Sequence, residues 1–167
     1  MEIRPFRAED EPQVLEVLRY GIKDQERYAW AVDPQRDEAS FFDLAWQDQT
    51  QSLKDEPEHW WVAVEDAKVI GVLRMAFWTE EPLGPLASVV ELDVHPAARN
   101  QGIGGQLLAH AEAVARSADA VMFFIGGFAA NPAMRLYRRA GFVESPESLR
   151  YNEGPDHLVL GKRLKAT

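Results

Sequence analysis

The order of apolar and polar positions sorts most of the chain into elements. Glu2–Phe6 alternates and predicts a short strand. Asp10 is placed to cap a helix over Glu11–Tyr20, with Val14, Leu15, Val17 and Leu18 facing inward. A second helical stretch spans about Arg36–Gln51, with Phe41, Phe42, Leu44, Ala45 and Trp46 as its apolar face. His59–Glu65 and Val69–Trp78 are β-rich runs around the turn Asp66-Ala67-Lys68, which predicts a hairpin. Glu80–Leu86 holds Pro82, Gly84 and Pro85 and predicts a loop before a third strand, Ala87–His95. From Gly102 the period becomes helical, with Ile103, Leu107, Ala111 and Val114 on one stripe. Ala120–Ile125 is apolar throughout and predicts a strand buried on both faces. Asn131-Pro132 opens another helix and Gly141 closes it. Phe142-Val143 and His157–Leu164 complete the predicted strands. Strand, helix and strand in succession across residues 87–125 imply a parallel pair.

The 167 residues suit one domain, residues 1–167, with 46% hydrophobic and 27% charged positions. The chain has no cysteine, which removes disulfides, thiolate metal sites and a cysteine nucleophile. The four histidines show no metal spacing, so no metal is expected. The opening MEIRPFRAEDEP is charged from its second residue and lacks an apolar core, and no run approaches membrane-spanning length. The expectation is a cytoplasmic protein. Residues 24–66 hold twelve acidic and three basic residues, which accounts for the whole net charge of −9. Without a basic stripe, nucleic-acid binding is not expected.

The glycines of Arg99-Asn-Gln-Gly-Ile-Gly-Gly-Gln-Leu-Leu raise a question of chemistry. Glycine weakens a helix start unless something must approach the backbone closely. A P-loop would need a Lys-Ser/Thr pair that is absent, and a dinucleotide fingerprint fails at Leu107. What remains is Arg99-x-x-Gly102-x-Gly104 after a strand. Downstream stands Asn131-x-x-Met134-x-Leu136-Tyr137-x-Arg139-x-Gly141-Phe142.

The two elements together, over about residues 87–143, resemble the GNAT superfamily of N-acetyltransferases. The resemblance implies a mixed α/β fold: a mostly antiparallel sheet of six to seven strands, flanking helices and splayed central parallel strands. It implies acetyl-CoA as cosubstrate, with Arg99, Asn100, Gln101, Gly102, Ile103, Gly104 and Gly105 cradling the pyrophosphate. Leu92 and Val94 would meet the pantetheine arm and thioester through their backbone, and Asn131 would also face the cofactor. Tyr137 matches the family's general acid. Asn100 and Met134 depart from the usual glycine and small residue.

The general base is less determined. Glu91 and Asp93 share one face of the pre-loop strand. Glu91 is preferred because it lies further from the loop, and His95 is read as structural. The implied activity is acetyl transfer to a primary amine, on a small molecule or a protein, by direct attack in a ternary complex. The acidic block, with Tyr28, Trp30, Phe41, Phe42 and Trp46, suits a cationic acceptor, with Asp33, Asp37 and Glu38 as candidate contacts. Homodimers are common in the resembled family. The alternatives are a non-catalytic acyl-CoA sensor and a longer-chain acyltransferase.

Overall fold

The computed structural model describes residues 1–30, 38–154 and 156–165. In chain order the elements are β1 (Glu2–Pro5), α1 (Glu11–Trp30), α2 (Glu38–Asp55), β2 (Trp60–Glu65), β3 (Lys68–Glu80), β4 (Gly84–Val94), α3 (Ile103–Ser117), β5 (Met122–Phe128), α4 (Ala133–Arg139), α5 (Pro146–Leu149) and β6 (His157–Arg163). The strands form a six-stranded sheet in the order β1-β2-β3-β4-β5-β6. β1–β2, β2–β3 and β5–β6 are antiparallel, and β4–β5 is parallel as the connection order requires. The parallel register joins Leu86–Val89 to Met122–Ile125, although both strands run on beyond it.

The chain groups into two compact units. The first comprises Met1–Arg74 and Glu91–Leu108. Its core sets Val14, Val17 and Leu18 of α1 and Leu53 of α2 against Trp60, Val62, Val69 and Val72. α1 does not stop at Tyr20. Ile22 and Ala29 continue the buried stripe of Val14 and Leu18 past Gly21, so burial outweighs the weak helix propensity of one glycine. Asp10 does not cap α1. Its carboxylate takes a bidentate pair from Arg4 at 2.7 and 2.8 Å and accepts from the Arg7 N–H.

In α2 the buried positions are Gln49, Ser52 and Leu53, while Leu44 is 66% exposed. Leu44 falls off the stripe that Phe42, Trp46, Gln49 and Leu53 define, which corrects the expected apolar face. Phe42 stacks on Trp46 instead. The hairpin turn is as expected, with Glu65 opposite Lys68 and both Asp66 and Ala67 at positive φ.

The second unit comprises Met75–Val90 and Ala109–Thr167. Leu86, Met122, Phe124 and Val159 form its core cluster, with Trp78, Leu83, Val121 and Tyr151 packed against them. Met122 through Ile125 are buried on both faces, as their unbroken apolar run predicts. The expected loop before β4 shrinks to a short turn, because the strand already begins at Gly84. On α3, Ala115 is buried and Val114 only partly so. Val143 makes a single bridge to Gly161 rather than a strand. The short helix α5 was not expected. Its signal is Ser145-Pro-Glu-Ser148, whose two serines cap each other's backbone at 3.2 and 2.9 Å.

Candidate active site

In the first unit β4 leads through His95 and a 3₁₀ turn, Pro96–Ala98, into the glycine loop. The His95 N–H donates to the Ile70 carbonyl, and its ring Nδ1 accepts from the Ala97 N–H. Tyr20 packs edge-on against the same ring. His95 is thus a structural residue that holds the end of β4. Asn100 takes a φ of 60°, and Gly102 a φ of +81°. Nothing lies within 4 Å of the space a Gly102 side chain would fill, and Arg99, Asn100, Gln101 and Gly102 are exposed.

α3 begins at Ile103, so the N–H groups of Ile103, Gly104 and Gly105 fall in its first turn, where no intrahelical acceptor exists. With the helix dipole behind them, they favour an anion. The start of α3 lies very close to β3. A methyl group on Gly71 would come within 2.9 Å of Leu107 Cδ1 and 3.4 Å of Ile103 Cγ2.

Arg99 is oriented by its own neighbours. Its guanidinium meets Asp24 at 2.6 Å, and its Nε donates to the Val94 carbonyl at 3.0 Å. The Asp24 contact ties the loop to α1, and sequence alone gives no sign of it. Leu92 and Val94 sit half-buried on β4.

Glu91 is 8% exposed, and burial pushes its carboxyl well above the ordinary range. The neighbouring Asp93 charge adds to the rise, while a hydrogen bond from the Gln49 side chain opposes it. Asp93 is raised too, chiefly by burial, against the pull of Arg99. The Asp93 carboxyl occupies the space beside Gly21, where a side-chain carbon would stand 2.3 Å from it. Gly21 is therefore glycine because α1 must make room for a carboxyl of β4. Gln49 and Gly21 were not singled out from sequence, because their roles depend on which helices cross β4.

In the second unit Tyr137 is 5% exposed on α4, so it is no surface tyrosine. Its carbonyl accepts from the Phe142 N–H at 3.1 Å, and Gly141 closes the helix at a φ of +92°. Asn131 Oδ1 accepts from the Ala133 N–H at 2.9 Å, so this oxygen is committed to starting α4. Met134 is buried, with its sulfur 3.6 Å from where a Gly127 side chain would begin. Asp33 and Asp37, with the side chains of Trp30 and Glu38, lie outside the described residues. Among the described residues no group of His, Cys, Asp or Glu is arranged to hold a metal ion, and no helix is long and apolar enough to cross a membrane.

Solved structures with similar folds include proteins named as N-acetyltransferases and an N-acetylglutamate synthase. The PaiA N-acetyltransferase of Thermoplasma acidophilum, solved with coenzyme A, is 18% identical over 98% of both chains, with a TM-score of 0.73. The ribosomal-protein-alanine N-acetyltransferase of Brucella melitensis is 22% identical over 98% of this chain and 100% of that one, with a TM-score of 0.70. The N-acetylglutamate synthase of Neisseria gonorrhoeae, solved with coenzyme A and N-acetyl-glutamate, is 19% identical. There the match covers 99% of this chain but 35% of the other, with a TM-score of 0.68. No curated protein matches the chain. Residues 13–142, the span that carries the glycine loop, the buried carboxyls and Tyr137, match the Acetyltransferase (GNAT) family, and the chain belongs to it.

Proposed function

We propose that the protein transfers an acetyl group from acetyl-CoA to a primary amine by direct attack. The observation that carries this reading is the exposed glycine loop opening α3, on the strand that bears buried Glu91. The loop fits a pyrophosphate. It offers first-turn N–H groups, a left-handed Asn100 and open space at Gly102. Residues Arg99 through Gly105 would hold the phosphates. Arg99 serves mainly to shape the loop, since Asp24 and Val94 already engage it. The backbone of Leu92 and Val94 would align the pantetheine arm by strand addition, and a Val94 N–H at the thioester oxygen would stabilise charge developing there. Asn131, whose Oδ1 is engaged by the Ala133 N–H, would meet the cofactor through its amide nitrogen.

An alkyl amine has a pKa of about 10.4, so roughly one molecule in a thousand is neutral at pH 7. Glu91 takes one proton of the entering ammonium, which frees a lone pair to form the nitrogen–carbon bond. Tyr137 gives its hydroxyl proton to the sulfur as the carbon–sulfur bond breaks. It recovers a proton as the new amide nitrogen sheds its second. Glu91 returns the first to water. A carboxyl held toward neutrality suits this exchange better than an ordinary one.

Titration calorimetry with acetyl-CoA, free CoA and NADH, followed by thiol release with an amine panel, tests the reading. Binding of both CoA species but not NADH, with amine-dependent thiol release, is expected. Tyr137→Phe should lower kcat by about 10²–10⁴-fold at unchanged CoA affinity. CoA binding without turnover on any amine would assign the chain to cofactor sensing instead.

A further inference from the structure

Among the described residues, three buried side-chain oxygens in the first unit have no hydrogen-bond partner: Gln49 Oε1, Glu91 Oε2 and Asp93 Oδ2. Such atoms are uncommon, because each forfeits its hydration without compensation. These three belong to one connected group. The Gln49 amide hydrogen-bonds Glu91, and the Asp93 charge acts on Glu91. Gln49 is 2% exposed and Glu91 8%. With Glu91 and Asp93 ionised, all three atoms are acceptors, so what they lack in that state is a donor.

The charges around them narrow the choice of donor. Arg74 faces Glu91 from β3, but it is paired with Asp48 of α2 at 2.8 Å. Arg99 faces Asp93 from the loop, but it is paired with Asp24 of α1 at 2.6 Å. Two further charged groups acting on the pair, Asp48 and Asp24, are themselves acidic. Among the described residues the group is therefore short of positive charge as well as of N–H donors. A primary ammonium supplies both, with three N–H donors on one cationic nitrogen.

We propose that Gln49, Glu91 and Asp93 form the seat of the acceptor's ammonium group, and that Gln49 is an acceptor-specificity residue. This deepens the acetyl-transfer reading and rests on it. The acceptor class becomes a primary amine that binds as its cation, with Gln49 Oε1 counting its N–H groups. The Asp48–Arg74 pair fixes α2 on β3 at the neighbouring residue and so delivers Gln49 to the site. The preference for a cation comes from this seat rather than from the acidic block as a whole.

The test uses the full chain labelled with ¹³C at its Asp and Glu carboxyls, with Glu91→Gln and Asp93→Asn supplying the assignments. Methylammonium is titrated against tetramethylammonium, which carries the same charge and no N–H donor. Methylammonium should shift the Glu91 and Asp93 resonances and lower the pH at which they titrate, whereas tetramethylammonium should not. Equal responses, or none, would overturn the proposal. Gln49→Met, close in size but without the amide, should raise KM for an amine substrate by about tenfold or more, the loss expected for a hydrogen bond to a charged group. Its KM for acetyl-CoA should stay unchanged. Gln49→Glu should keep amine affinity within a few-fold and guards against a mere packing defect. An unchanged amine KM in Gln49→Met would also overturn the assignment. CoA binding is measured on the same samples. If CoA binds and methylammonium leaves the carboxyls unmoved, the seat fails while acetyl transfer stands. If CoA does not bind, acetyl transfer fails on separate grounds.

Discussion

Ala67 sits at a φ of 61° in the β2–β3 turn, a region that costs an L-residue roughly 1–2 kcal/mol and glycine nothing. Ala67→Gly should therefore stabilise the protein by about 1 kcal/mol, less the extra freedom glycine gives the unfolded chain. A higher urea midpoint at unchanged slope would register the gain. The hairpin turn Asp66-Ala67-Lys68 was legible in sequence from the β-rich runs on either side, while the left-handed backbone at Ala67 is seen only in the structure. Asn100, where the resembled family has glycine, takes a φ of 60°, a conformation asparagine tolerates better than most residues. Asp10 misled: its type and place read as a helix cap, yet Arg4 reaches it with two hydrogen bonds. A cap motif is local, and a guanidinium from the preceding strand outbid it.

At the scale of elements, the crossing of α1 over β4 is set by Gly21 and Asp93. Gly21→Ala adds helix propensity but drives a carbon to 2.3 Å from the Asp93 carboxyl. A net loss of about 1–3 kcal/mol is expected from the overpacking. In the Asp93→Ala background the same substitution should be neutral or stabilising. A double-mutant cycle measures this coupling directly, and simple additivity would contradict it. Sequence reveals the elements that carry their own periodicity: β2 and β3, α3, the buried run of β5, and α4 between Asn131 and Gly141. It does not reveal the far half of α1, the true buried face of α2 or the Gln49–Glu91 hydrogen bond. Each of these depends on a partner distant in the chain. The glycine loop was readable because its chemistry is contiguous. Of the proposed ammonium seat, sequence offers the two carboxyls of β4 but not the amide, which comes from a helix.

For the molecule as a whole, pH acts on two opposed sets of carboxyls. Glu91 and Asp93 titrate above their unfolded values, so between those limits the folded state holds more protons than the unfolded one. Stability from this pair therefore falls as pH rises toward neutrality. Asp10 is held below its ordinary value, chiefly by the hydrogen bond from Arg4. Its contribution is present above the unfolded value and is lost as pH falls through the lowered one. The stability maximum should thus lie on the mildly acidic side. Melting temperatures measured from about pH 5 to 8 should decline for the wild type and stay flatter for Glu91→Gln/Asp93→Asn. Over the same interval kcat/KM should rise, since the base must be ionised to accept a proton. An enzyme built this way gives up stability under the conditions in which it turns over fastest.

The bare backbone at Gly71 sets a tolerance. With Leu107 and Ile103 seated where a side chain would stand, β3 acts as a zero-thickness shim beneath the first turn of α3. The donor N–H groups of the loop are thus levelled by a strand position that touches no ligand. Inserting even a methyl-thick spacer would tilt the whole bearing. A survey confined to the loop's own residues would miss the part that sets their height.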